Sequence, residues 1–174
     1  LTALAAVLFG LRLLDVVQDP LLGRLSERLR HQRGLAVGLG CAVIALAMLG
    51  LFAVPPVISP VLWFGVMLTL VFSAFSFLTI CFYAQGVAKA DRMAGNGHLR
   101  LARWRETGAL LGVCVASVAP VALGVVTDAP FAGFAAGFAV LALAAAGAMR
   151  GEWLSVDVPD STGFGTILRD PLAR

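Results

Sequence analysis

Arg12-Leu13-Leu14-Asp15-Val16-Val17-Gln18-Asp19-Pro20-Leu21-Leu22-Gly23 puts one arginine and two aspartates within, or at the end of, an apolar run that begins at Leu1. At about 100° per residue, Arg12, Asp15 and Asp19 fall within a sector of about 60° and share one helix face. A charge near the centre of a bilayer costs about 2.5–3.5 kcal/mol on insertion scales. Three on one stripe are tolerated only where they face one another, a polar cavity or an ion. Two carboxylates one turn apart supply several hard oxygen donors, which suits sodium. The same pair also suits a shared proton, because neighbouring carboxylates resist ionising together. Arg12, one turn earlier, then pairs with whichever carboxylate is unoccupied. The plainer alternative is an ion-pair network that only docks helices, with Asp19 merely ending a helix before Pro20.

The rest of the chain fits a lipid setting. Of its 174 residues, 60% are hydrophobic and 13% charged, with a mean hydropathy of +0.93. Soluble domains run about 45–50% apolar and about 25% charged. The expected fold class is all-α: a polytopic helical membrane protein with about five transmembrane helices. Spans are expected at 1–22, 35–54, 61–88, 107–127 and 131–149, with 150–174 a cytoplasmic loop. The third is longer than a bilayer requires, so it tilts or runs on into the cytosol.

Charge sets the orientation. Arg24, Arg28, Arg30 and Arg33 fall in the first loop, and Lys89, Arg92, Arg100, Arg103 and Arg105 in the third. Arg150, Arg169 and Arg174 follow the last span, so all 13 basic residues except Arg12 lie on one side. The positive-inside rule makes that side cytoplasmic. Leu1 is then outside, which implies a further helix upstream. The net charge of +3 sits at membrane flanks, so the expected partner is lipid and not nucleic acid. Trp63, Trp104 and Trp153 fall near span ends, as interfacial anchors do. Gly34-to-Gly38 and Gly133-to-Gly137 are small-xxx-small patterns that allow close helix approach. Cys41, Cys81 and Cys114 stand far apart in apolar runs and read as small buried hydrophobes. No nucleotide loop, zinc spacing or nucleophile–base pair is present, so neither an enzyme nor a resident cofactor is expected.

Two further groups bear on function. Ser76, Thr79 and Tyr83 share one face of the third span, where two hydroxyls and a ring suit an ion and a solute. Ser and Thr equally serve as hydrogen-bond partners between membrane helices. The arginine-dense first loop begins at Gly23, and Glu27 and Arg28 there suit a cytoplasmic gate of charge pairs, or plain topological anchoring.

Arg-x-x-Asp-x-x-x-Asp-Pro-x-x-Gly, followed by Ser-Glu-Arg, resembles helix two and the next loop of the glycoside–pentoside–hexuronide:cation symporters. These melibiose-type carriers belong to the major facilitator superfamily. The resemblance covers residues 1–150 and implies helices two to six of a twelve-helix transporter, the N-terminal bundle less its first helix. It implies cation binding (sodium or proton) at Asp15, Asp19 and Ser76, with Arg12 as charge partner. It also implies solute contacts at Thr79, Tyr83 and Arg105 and a bacterial inner-membrane location. The melibiose-type pattern has an aspartate where this chain has Thr79, which moves the solute away from galactosides. The leading expectation is cation-coupled symport of a sugar or related polar solute. Its rivals are a proton-coupled exporter or carrier of amphipathic solutes, and a non-transporting helical subunit.

Overall fold

Helix-forming residues run further along this chain than its apolar stretches do, and the helices follow them. The computed structural model describes residues 2–93 and 95–153, without the side chains of residues 2–4, 6, 12 and 15. Helix α1 covers Thr2–Arg28, α2 Arg33–Phe52, α3 Pro60–Ala90, α4 Gly97–Leu123 and α5 Pro130–Ala148. A single 3-10 turn, Arg30–Gln32, joins α1 to α2. There is no strand among the described residues, so the chain is all-α. Residues 154–174, the greater part of the expected connector, lie outside the described residues.

The helix bounds differ most from the expected spans at the basic end. Residues 23–28 continue α1, and residues 97–106 open α4, although both segments were expected as loop. Leucine, alanine, arginine and glutamate are good helix formers, and neither segment contains a proline. The helices therefore run on past the apolar run. Pro60 and Pro130 begin α3 and α5, where the missing N–H costs nothing. Gly95 takes φ +75° in the α3–α4 turn, a conformation that only glycine adopts cheaply.

Among the described residues, four helical segments are long and apolar enough to cross a membrane: Arg30–Phe52, Pro60–Ala90, Gly97–Leu123 and Pro130–Ala148. α1 has the length, at 27 residues, but carries Arg12, Asp15 and Asp19 in its middle. α3 has 31 residues and, at about 1.5 Å per residue, is about 46 Å long, well beyond the hydrocarbon slab.

α2 is the hub, packed most extensively against α5 and α3. Ala36, Val37, Cys41 and Ile44 on α2 meet Ala74, Phe77, Leu78 and Cys81 on α3. Both sets follow the three-and-four spacing that keeps side chains on one face. Small residues allow the approach, but not all those expected. The expected Gly38 and Gly137 have nothing within 4 Å of where a Cβ would sit, whereas a Cβ on Gly40 would stand 3.0 Å from Leu78 Cδ2. α5 presents Ala135 and Ala139 as its buried residues.

The loops sort by end. At one end Trp63 Nε1 donates to the Gly50 carbonyl at 2.9 Å, and the Phe52 and Phe131 rings stack at 6.0 Å. The other end gathers the basic loops, with Lys89 paired to Glu152. α4 is the loosest element, and only Gly97 on it is buried.

Candidate functional site

The α2-facing stripe of α3 runs through Ala74, Phe77, Leu78 and Cys81. At about 100° per residue, Ser76, Thr79 and Tyr83 lie within about 40° of the opposite face. They are therefore not part of the α2–α3 seam. Ser76 turns to α1 and Tyr83 to α4, so this polar stripe lies between those two helices.

Towards α1, Ser76 Oγ donates to Asp19 Oδ1 at 2.6 Å, the length of a charge-assisted bond to a carboxylate. Ser73 Oγ donates to Gln18 Oε1 at 3.0 Å, making a second rung one turn away. Gln18 Nε2 is buried and finds no partner among the described residues, so the ladder keeps one unused donor. Sequence reasoning missed Gln18 and Ser73. The signals were there, since Gln18 directly precedes Asp19 and Ser73 extends the Ser76 stripe back by three residues. Arg12 and Asp15 belong to α1, but their side chains lie outside the described residues. Thus the structure brings Asp19 and Ser76 together.

Towards α4, the guanidinium of Arg105 sits 4.4 Å from the centroid of the Tyr83 ring, a cation–π contact. Arg105 also bonds Glu106 at 2.8 Å. The two residues stand at one end of a groove of about 490 Å³ between α3 and α4, walled by Phe82, Val87 and Leu101. His98 closes the other end and bonds Asp91 at 2.8 Å. Thr79 does not line this groove, and its side chain makes no hydrogen bond with a described residue. Of the three expected solute contacts, Tyr83 and Arg105 are therefore together and Thr79 is apart.

The residues expected to form a gate lie on a helix and not in a loop. Gly23, Glu27 and Arg28 lie on the last turns of α1, and Glu27 and Arg28 are exposed and make no ion pair with a described residue. What ties this end is a set of residues that sequence reasoning passed over. Gln85, only 5% exposed, accepts from Arg33 Nη1 at 3.3 Å and donates to the Glu152 carbonyl at 2.9 Å. Ser26 and Cys81, both buried, meet at 3.4 Å between α1 and α3. The signal for Gln85 was an amide four residues after Cys81, on the buried stripe of an otherwise apolar helix.

A family model described as MFS/sugar transport protein matches residues 1–150. No curated protein and no solved structure matches the chain. The match takes in α1 to α5, with the Ser76–Asp19 and Tyr83–Arg105 contacts of α3. The chain accordingly belongs to the MFS/sugar transport protein family and is a multi-pass membrane transporter.

Proposed function

We propose that this chain supplies five N-terminal-half helices of a cation-coupled symporter of the glycoside–pentoside–hexuronide:cation type, in a bacterial inner membrane with the basic end cytoplasmic. The observation that carries the reading is the 2.6 Å bond from Ser76 to Asp19 between α1 and α3. A hydroxyl and a carboxylate on separate helices, with Asp15 one turn from Asp19, form the beginnings of an oxygen cage for sodium or a proton acceptor. A bound cation neutralises the stripe and draws α1 to α3. The solute, a sugar or related polar molecule, lies in the α3–α4 groove against Tyr83 and Arg105. Linkage then requires that cation and solute raise each other's affinity equally, and the two halves rock to expose them on the other side. The partners on this reading are lipid, the solute, the coupling cation and the remaining transporter helices, with no resident cofactor.

One observation favours a second reading. Away from Tyr83, His98 and Arg105 the groove is apolar, and none of its lining residues is acidic. That suits an amphipathic solute moved by a proton gradient. Uptake of candidate solutes by the full-length protein in proteoliposomes, under imposed sodium or pH gradients, separates the two. Asp19→Asn is expected to abolish gradient-driven uptake while leaving solute exchange. Undiminished gradient-driven uptake in that variant overturns the coupling role.

A further inference from the structure

The residues directly after α5 do more than lead away from it. Glu152 and Trp153 cross the basic end of the bundle and close over α2 and α3. The Glu152 carbonyl accepts from Gln85, its carboxylate pairs with Lys89, and the Trp153 ring lies on Gly34 at the start of α2. A Cβ on Gly34 would stand 3.1 Å from Trp153 Cδ1, so the ring occupies the space that glycine leaves. Trp153 also packs on Phe82, with ring centroids 5.4 Å apart and planes tilted by 51°. Phe82 is a wall of the α3–α4 groove. One aromatic ring thus has the groove on one side and Trp153 on the other.

We propose that Glu152 and Trp153 form a clasp over the basic ends of α2 and α3 which, through Phe82, sets the width of the α3–α4 groove. With Trp153 seated, Phe82 has no room to turn back towards α2 and stands as a wall of the groove. With Trp153 lifted, Phe82 swings into the vacated space and the groove widens. The clasp is built from one buried amide, one exposed ion pair, one aromatic pair and the ring's seat on Gly34, and because Trp153 packs on the outside of the α2–α3 core, it opens with that core in place. Its consequence for transport rests on the proposed solute position, but the clasp itself does not.

The test uses the full-length transporter in inside-out vesicles, with the exposed Cys114 replaced by serine and a reporter thiol introduced by Ala102→Cys in the groove lining. The readout is its rate of reaction with a polar, membrane-impermeant maleimide. Trp153→Ala is expected to raise that rate about two- to tenfold, the range that one aromatic pair supports. Gly34→Leu, which evicts the ring by filling its seat, is expected to do the same. The double variant is expected to react no faster than Trp153→Ala alone, because both changes release one contact. Trp153→Phe keeps a ring against Phe82 and is expected to stay within about twofold of the parent. An unchanged rate in Trp153→Ala, additive effects in the double variant, or a rise in Trp153→Phe equal to that in Trp153→Ala overturns the clasp. Labelling that responds while solute uptake does not leaves the clasp standing and removes the groove from the solute path.

Discussion

Ser76 and Tyr83 show how single side chains divide the labour along one helix face. The hydroxyl of Ser76 reaches α1 and the ring of Tyr83 reaches α4, two turns apart on the same stripe. A hydrogen bond to a charged group contributes about 1.5–3 kcal/mol. On the proposed reading with sodium as the coupling ion, Ser76→Ala removes one oxygen donor and is expected to raise the sodium concentration for half-maximal uptake about tenfold or more, with little effect on solute exchange at saturating sodium. Sodium-titrated uptake checks it. Tyr83 acts through its ring face, with its hydroxyl in no bond with a described residue. On the proposed solute position, Tyr83→Phe is expected to hold the solute KM within about threefold, whereas Tyr83→Ala releases Arg105 from its ring and is expected to raise KM beyond that range. Initial-rate kinetics on the two variants separate ring from hydroxyl.

Between helices, close approach is set by where a Cβ has room and not by the pattern of glycines alone. Gly40 faces Leu78 across the α2–α3 seam, while Gly38, on the same helix, faces open space. Gly40→Leu is expected to destabilise the bundle by about 1–3 kcal/mol through overpacking. Gly38→Leu is expected to change it by less than about 1 kcal/mol, and thermal unfolding in detergent distinguishes them. The sequence carried the helices well, because long apolar runs punctuated by Pro60 and Pro130 have few other foldings. The family resemblance grouped Asp19 with Ser76, and Tyr83 with Arg105, and these pairs meet, while Thr79, grouped with the second pair, stands apart from it. The sequence did not carry the helical continuation of α1 and α4, because hydropathy falls at the lipid boundary while helix propensity does not. The Gln85–Glu152 tie was equally out of view, since a bond spanning 67 residues leaves no periodic trace.

At the scale of the molecule, the two ends differ in kind. One end is closed by aromatic and backbone contacts at Trp63, Phe52 and Phe131, and the other by charge and amide bonds around Gln85. Basic residues concentrate at the second end, which the positive-inside rule assigns to the cytoplasm. In a cysteine-free background, a thiol introduced by Pro56→Cys is expected to react with an impermeant reagent in intact cells. One introduced by Gly95→Cys is expected to react only after the membrane is opened. The reverse pattern would invert the orientation and move the proposed solute entry to the other face.

α4 carries Arg105 and yet has no buried residue beyond Gly97. On the proposed reading, the helix that grips the solute is also the one least fastened to its neighbours. A molecule lodged in the groove against Arg105 and Tyr83 is then mortar as well as cargo, and each loading stiffens a wall that each release lets sag. Recognition and motion would share a single hinge of guanidinium and ring, with no separate part needed to tell the bundle that it is full.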